Sequence, residues 1–313
     1  MSLKIWDGLR EICTKTEADL ISDLIDDNFD VTVVNKTRYY AFQDNGSDVL
    51  AVAHLDTIRP EWRKFRFNRK ERKVYSPALD DRLGVFILTK ILPSYGIMPD
   101  ILLTTDEEIG ASTALYFNPD KNYNWMFSFD RRGDDVVMYD YHTEDLEDLL
   151  EENGFNVAMG SYSDICYLDH LGIAGFNFGT GYFDEHTKRC HAILDITINM
   201  VAKFIGFFEN FMNTKFEYIP SDFWGWPLTK NDDSWGDDYL EVKKLGLEDD
   251  YGDDYYLYDD RGDEDIKISP VTEAILFEEY HLAKNHMVEY YLIDDVSACM
   301  VCHDCNKRIF FNG

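Results

Sequence analysis

Alternation between apolar and polar positions divides the first two thirds of the chain into short strands and amphipathic helices. Leucine and isoleucine recur at helical spacing after a threonine in residues 16–28, which predicts a helix with a threonine cap. Polar and apolar residues alternate in residues 31–42 and again in residues 64–76, which predicts two β-hairpins. The turn of the first hairpin is expected near Asn35 and Lys36.

Four short apolar runs predict buried strands, at residues 49–56, 101–108, 124–130 and 173–180. Helical patterns lie between and after these runs, at residues 82–92, 143–154, 163–172 and 189–212. Strands that alternate with helices are typical of a largely parallel sheet that is covered on both faces. We therefore expect an α/β fold with three αβα layers around a mixed, mainly parallel sheet.

Composition and charge limit the classes of function. The chain has 313 residues and a formal net charge of -30, but 45% hydrophobic residues predict a globular core. It lacks the basic stripe that nucleic-acid binding requires. The first twenty residues do not have the order of a secretory signal, and no apolar run approaches the roughly 18 residues of a membrane span. We expect a cytoplasmic protein that binds neither nucleic acid nor membrane.

Residues with metal-binding or acid–base chemistry collect where the predicted strands end: His54, Asp56, Asp80, Glu107, Glu108, Asp130 and His186. Ligands of open α/β sheets bind beyond the carboxyl ends of the strands, so these groups are expected at one edge. Taken singly, a histidine here is usually structural, and an acid often caps a helix. Together, converging carboxylates repel one another unless a cation lies between them. Two histidines with several carboxylates suit zinc, and cobalt or manganese is also acceptable.

Five ordered motifs resemble those of the co-catalytic dizinc exopeptidases, the superfamily of glutamyl aminopeptidases, tripeptidases and glutamate-releasing carboxypeptidases. The motifs are HLD at 54–56, LDDRLG at 79–84, DEEIG at 106–110, FDRRG at 129–133 and YFDEHT at 182–187. The resemblance covers roughly residues 48–210, within a catalytic domain that we assign to residues 1–214. It implies a cis peptide bond between the two aspartates of LDDRLG. The domains that relatives insert between these motifs have no room here.

The resemblance also implies a set of metal ligands. His54 and Asp130 would bind one zinc ion, Glu108 and His186 would bind a second, and the carboxylate of Asp80 would bridge the two ions.

Two further roles follow from the same resemblance. Glu107 would be the general base that takes a proton from the attacking water. Asp56 would accept a hydrogen bond from the second ring nitrogen of His54 and so orient that ligand. Ser163 and Asp164, in the segment GSYSDICYL, are expected to cap a helix.

The last third of the chain differs in composition. Residues 215–268 are acidic, aromatic and rich in turn formers, which predicts a solvated linker or a docking segment. Residues 269–313 predict a small module whose CHDCNK stretch resembles a zinc knuckle. Free thiols are the alternative to a further, structural zinc there. The candidate ligands for that zinc are His281, His286, Cys299, Cys302 and Cys305.

The sequence therefore predicts a zinc-dependent exopeptidase, with an aminopeptidase acting on short peptides favoured over a carboxypeptidase. A dizinc amidohydrolase or deacylase acting on small acylated amines is one alternative. A non-catalytic binding protein, in which the acidic tail captures a basic partner, is another. The sequence leaves open the preferred side chain, the physiological metal and the oligomeric state.

Overall fold

The structure is a computed structural model, and it describes residues 4–35, 38–58, 64–68 and 70–218 together with three late strands. Those strands are Val288–Leu292, Ser297–Cys302 and Lys307–Asn312, and they form an antiparallel sheet. The predicted acidic segment lies outside the described residues from residue 219 onward. The predicted domain boundaries therefore stay predictions.

Twelve strands form the two sheets of the main described body. In chain order they are β1 (Asp30–Val33), β2 (Tyr39–Gln43), β3 (Val49–His54), β4 (Arg66–Asn68), β5 (Lys73–Tyr75), β6 (Asp100–Thr104), β7 (Trp125–Arg131), β8 (Asp135–Val137), β9 (Asn156–Ala158), β10 (Gly175–Gly179), β11 (Tyr182–Phe183) and β12 (His191–Ile193).

The larger sheet has eight strands in the order β1, β2, β6, β3, β7, β10, β8, β9. Its four central strands, β6, β3, β7 and β10, run parallel to one another, and they are the four predicted buried runs. β1 pairs antiparallel with β2, which confirms the first predicted hairpin. β2 in turn pairs antiparallel with β6. This strand order confirms the predicted mixed, mainly parallel sheet. It also places the carboxyl ends of β3, β6 and β7 side by side.

Helices cover both faces of this sheet. They are α1 (Lys4–Thr14), α2 (Glu17–Asp26), α3 (Leu79–Phe86), α4 (Leu92–Ser94), α5 (Glu144–Glu152) and α6 (Leu194–Phe211), with a π-helical turn (Ile87–Ile91) between α3 and α4 and a 3-10 helix (Asp164–Leu171). Neighbouring residues of a strand point to opposite faces. Phe129 of β7 packs on Phe204 of α6, with ring centroids 4.9 Å apart, while Asp130 faces Ser163 at the start of the 3-10 helix.

The prediction of a closing helix over residues 189–212 is partly wrong. The helix begins at Leu194, because His191–Ile193 forms strand β12 and pairs with β5. Ala192 is buried there while His191 and Ile193 are half-buried, which is the alternation of a strand. With β4 and β11, these strands form a second, antiparallel sheet. The second predicted hairpin, β4–β5, is confirmed.

Helix α1 has no counterpart in the sequence prediction. Its buried residues Trp6, Leu9, Ile12 and Cys13 recur at helical spacing, so the signal is present in the sequence. Across the described part of the chain, each helix is too short or too polar to traverse a bilayer.

Candidate metal centre

His54 ends β3 in the middle of the sheet, and two carboxylates from other segments approach its ring. The Nε2 atom of His54 lies 3.6 Å from Oδ1 of Asp80 and 3.5 Å from Oδ1 of Asp130. Asp80 belongs to the first turn of α3, and Asp130 to β7. Parallel pairing of β3 with β7 brings two of these residues to the same edge. The structure thus brings together the first predicted ligand group.

The second predicted ligand group also converges. The Nε2 atom of His186 lies 3.0 Å from Oδ2 of Asp80 and 3.1 Å from Oε2 of Glu108. One oxygen of Asp80 therefore faces His54 while the other faces His186. This is the arrangement that a carboxylate bridging two cations requires. We call these five side chains, His54, Asp80, Glu108, Asp130 and His186, the metal centre.

Unpaired atoms test whether these residues fit a metal ion. His54 Nε2 and Asp130 Oδ1 are both buried and have no hydrogen-bond partner. Buried polar atoms are nearly always paired, and a cation between these two facing atoms would satisfy both. Ligand atoms at about 2.0–2.1 Å from a tetrahedral zinc ion stand about 3.3 Å apart. The separations of 3.5 and 3.6 Å at His54 are close to that value, and the imidazole and carboxylate donors fit the same ion.

Electrostatics in the metal centre agree with this fit. Burial acts to raise the pKa of Asp80, but the adjacent imidazole rings of His186 and His54 lower it well below its ordinary value. Burial raises the pKa of Asp130 to about 7 despite the opposing effect of His54. Negative charge is therefore unfavourable at Asp130 unless a further positive charge is present.

The two histidines differ in exposure. The side chain of His54 is 1% exposed, whereas that of His186 is 46% exposed. His186 has a φ of 60°, in the left-handed region, and sits in the loop after β11. Hydrogen bonds to Asp80 and Glu108 raise its pKa to about 10. One end of the metal centre is thus buried, and the other faces solvent.

Glu107 lies beside the metal centre. Its Oε2 atom is 3.8 Å from Nε2 of His54, and its side chain is largely buried. Burial raises the pKa of the Glu107 carboxyl to about 10, although His54 acts against the shift. A nearby cation would lower this pKa by favouring the carboxylate.

Asp56 differs in detail from the predicted arrangement. Its carboxylate accepts hydrogen bonds from the backbone amides of Glu107 at 3.4 Å and Glu108 at 3.1 Å. Nδ1 of His54 lies 3.1 Å from the backbone carbonyl oxygen of Asp56 and 3.5 Å from its carboxylate. Asp56 therefore orients the loop of the two glutamates as well as His54.

The LDDRLG motif packs tightly behind the metal centre. The Asp80–Asp81 peptide bond is cis, as the resemblance implies. Oδ2 of Asp81 accepts a hydrogen bond of 3.0 Å from the backbone amide of His54. A Cβ atom on Gly84 would lie 1.9 Å from Oδ1 of Asp81 and 2.5 Å from the carbonyl oxygen of Phe129. The close approach of α3 to the backbone of β7 and to the side chain of Asp81 therefore requires glycine at this position.

Ser163 and Asp164 do not cap a helix, which corrects the prediction for both residues. The hydroxyl of Ser163 makes no capping bond and instead donates to Oδ2 of Asp130 at 3.1 Å. Asp164 is buried and accepts hydrogen bonds from Thr104, at 2.7 Å, and from Ser112. The helix-start pattern in the sequence did not reveal these long-range partners.

Two further residues that the sequence did not indicate support Asp130. The side-chain oxygen of Asn177 accepts from the backbone amide of Asp130 at 3.0 Å. The hydroxyl of Tyr182 donates to its carbonyl oxygen at 3.1 Å. With Ser163 on Oδ2, these contacts leave Oδ1 of Asp130 as the atom that faces His54.

The predicted third zinc site stays a prediction. His281, His286 and Cys305 lie outside the described residues. Cys299 and Cys302 belong to the strand Ser297–Cys302.

Comparison with known proteins gives similarity at the level of fold. The sequence matches no protein-family model and no curated protein. Aminopeptidase PepT from Bacillus cereus is 10% identical over 64% of this chain and 96% of its own, with a TM-score of 0.47. A tripeptidase from Staphylococcus aureus is 10% identical over 64% of this chain and 95% of its own, also with a TM-score of 0.47.

The chain is similar in fold to these peptidases. A Thermotoga maritima structure named as an endoglucanase is 13% identical over 63% of this chain and 94% of its own, with a TM-score of 0.43. The names of these similar structures therefore differ. The distances within the metal centre are the evidence for the chemistry of this chain.

Proposed function

We propose that the chain is a zinc-dependent exopeptidase, an aminopeptidase that removes the first residue of short peptides. The observation that carries this proposal is the position of Asp80, whose two carboxylate oxygens face different histidines at 3.6 and 3.0 Å. Two metal positions that share one carboxylate are typical of sites that hydrolyse amide or phosphate bonds.

The side chains of the metal centre divide between two ions. His54 and Asp130 would hold the ion at the buried end, Glu108 and His186 would hold the ion at the exposed end, and Asp80 would contact both. Zinc ions, when bound, would supply the positive charge that activates a water molecule and polarises the scissile carbonyl. Cobalt or manganese would satisfy the same donor set.

Glu107 would move the proton. Its carboxylate lies beside His54 but outside the ligand groups, so it is free to accept a proton from the attacking water. The same group would then donate that proton to the leaving amine. Asp56 would maintain the position of Glu107 through the backbone amide of that residue.

Two arginines next to the metal centre bear on which end of a peptide the site accepts. Arg131 and Arg132 follow Asp130 directly, but both already pair with carboxylates. Arg132 lies 2.7 Å from Glu185, and Arg131 lies 2.8 Å from Asp135. Each guanidinium group already has a carboxylate partner within the chain, which supports an aminopeptidase over a carboxypeptidase that recognises a terminal carboxylate.

A substrate panel tests the proposal. Zinc-loaded protein would be incubated with aminoacyl anilides, short peptides, amino-terminally blocked dipeptides and acetylated amines. We expect hydrolysis of the aminoacyl anilides and release of the first residue of the peptides. Hydrolysis of acetylated amines alone would favour the deacylase alternative. If the zinc-loaded protein hydrolyses none of these substrates, the result contradicts the proposal.

A further inference from the structure

Arg38 connects the edge of the large sheet to the loop that carries Glu107 and Glu108. It directly precedes β2, and its Nε donates to Oδ2 of Asp106 at 2.7 Å. Its Nη2 donates to the backbone carbonyl oxygen of Ala111. One guanidinium group therefore binds both ends of the loop formed by residues 106–111.

This loop has a backbone that needs external support. Asp106 has a φ of 64° and Gly110 a φ of 68°, both in the left-handed region. Glycine adopts this conformation freely, but aspartate is less stable there than in the right-handed region. A charged hydrogen bond from Arg38 favours the observed conformation of Asp106. The backbone amide of Ala111 also donates to the carbonyl oxygen of Asp106 at 3.0 Å, which closes the loop.

Asp56 binds the same loop from the side of the metal centre. Its carboxylate accepts the amides of Glu107 and Glu108, at 3.4 and 3.1 Å. The loop is therefore fixed on two sides, by Asp56 within the site and by Arg38 outside it.

Fixing the loop sets the directions of the two glutamates. Oε2 of Glu108 lies 3.1 Å from Nε2 of His186, at the exposed end of the metal centre. Oε2 of Glu107 lies 3.8 Å from Nε2 of His54, at the buried end. Adjacent residues serve two ends of one site only while the backbone between them keeps its conformation.

We propose that Arg38 is a positioning residue, which fixes the loop so that Glu108 binds metal while Glu107 accepts the proton. Its effect on turnover rests on the proposed function. Its effect on metal retention does not, because that effect requires only that Glu108 be a ligand.

Arg38→Ala is the primary variant, and Arg72→Ala is its matched control. Nε of Arg72 donates to Oδ1 of Asp195 at 2.8 Å, and the Arg72 side chain is 27% exposed against 24% for Arg38. The ion pair between Arg72 and Asp195 joins the β4–β5 hairpin to α6, and neither residue is hydrogen-bonded or ion-paired to the five side chains of the metal centre. Turnover on an aminoacyl anilide and zinc release to a chelator would be measured for both variants.

For Arg38→Ala we expect kcat to fall about 10- to 100-fold, with KM changed by no more than about threefold, as for loss of groups that orient ligands. Zinc release from the exposed position should be about tenfold faster. For Arg72→Ala both quantities should stay within about twofold of the parent protein. Arg38→Lys should be intermediate, because an ammonium group cannot replace the planar fork that reaches Asp106 and Ala111 together.

Asp106→Asn tests the same contact if Arg38→Ala does not fold. Asparagine tolerates the left-handed region, so this variant removes the charge and keeps the backbone. It should lower kcat and accelerate zinc release in the same direction as Arg38→Ala.

Equal zinc release and kcat in Arg38→Ala and Arg72→Ala would overturn the inference. A lower thermal midpoint of Arg38→Ala with parental kcat and zinc release would show that Arg38 serves stability alone. If the parent protein hydrolyses no substrate, the proposed function fails, and the zinc-release comparison still decides the role of Arg38.

Discussion

Nε2 of His54 and Oδ1 of Asp130 lie 3.5 Å apart in the interior, and each lacks a hydrogen-bond partner. A buried polar atom without a partner costs about 1–3 kcal/mol. The two atoms face each other, so a single cation would satisfy both. The folded protein should therefore depend on metal for part of its stability.

Metal binding should raise the free energy of unfolding. Free zinc at about a thousand times its Kd would add about 4 kcal/mol, or roughly 10 °C in the thermal midpoint for a domain of this size. Differential scanning calorimetry of chelator-treated protein, before and after zinc addition, measures this shift. Magnesium is the control, because it prefers all-oxygen sites and should give little stabilisation. Equal shifts with both ions would contradict the assignment of the donor set.

Stability of the metal-free protein should fall as the pH rises. Burial raises the pKa of Asp130 to about 7, and hydrogen bonds to Asp80 and Glu108 raise that of His186 to about 10. A pKa that is higher in the folded state contributes stability that is complete at low pH and is lost as the pH rises through the folded value. Urea unfolding between about pH 6 and pH 9 should show this decrease, and zinc should restore the most stability at the upper end. A metal-free protein that gains stability over this range would refute the prediction.

Glu107→Gln should separate metal binding from turnover. The amide has nearly the same shape as the carboxylate but cannot accept the proton, so kcat should fall at least about 100-fold. Zinc content, measured by atomic absorption, should remain at about two ions per chain because Glu107 lies outside the ligand groups. Glu151→Gln, on the exposed face of α5, is the control and should keep parental turnover. Parental kcat in Glu107→Gln would remove Glu107 from its proposed role.

Loss of one histidine should affect only one end of the metal centre. His186 is 46% exposed and comes from a loop, so His186→Ala should lower the zinc content from about two ions to about one while the protein still folds. His54→Ala leaves the largely buried carboxylates of Asp80, Glu107 and Asp130 without their shared imidazole, so it should reduce both zinc content and the thermal midpoint. The same measurements on both variants compare the two ends. Similar losses in both would contradict the division into a buried and an exposed position.

Gly84→Ala should destabilise the protein through the backbone packing behind the metal centre. The new Cβ would lie 1.9 Å from Asp81 and 2.5 Å from the carbonyl oxygen of Phe129, so the packed segments must separate. We expect a loss of about 1–3 kcal/mol in urea unfolding of the metal-free protein. Gly8→Ala in α1 is the comparison and should cost less, since its Cβ would come no closer than 3.2 Å to the Phe86 ring and alanine favours the helix. A neutral Gly84→Ala would contradict the close contact.

The sequence by itself determined the core and the main elements. The segments at residues 49–56 and 101–108 begin with several consecutive apolar residues and end in polar ones, and short runs of this kind are typical of buried strands. Thr16 caps the helix Glu17–Asp26 as predicted, and the structure shows that it forms a capping box with Asp19. These are local signals, so they can be read without knowing which segments meet.

Only the tertiary structure decided which polar groups meet. Ser163 reaches Asp130 across 33 positions of the chain, and Asp56 binds the amides of Glu107 and Glu108 across about 50. Strand β12 was not predicted, because its three residues form their hydrogen bonds with β5, which is far away in the sequence. Side-chain spacing along the chain fixes burial, whereas strand order and register fix the neighbours of each buried polar group. The side chains of the candidate metal centre meet because the order β6, β3, β7 places three separate strand ends side by side.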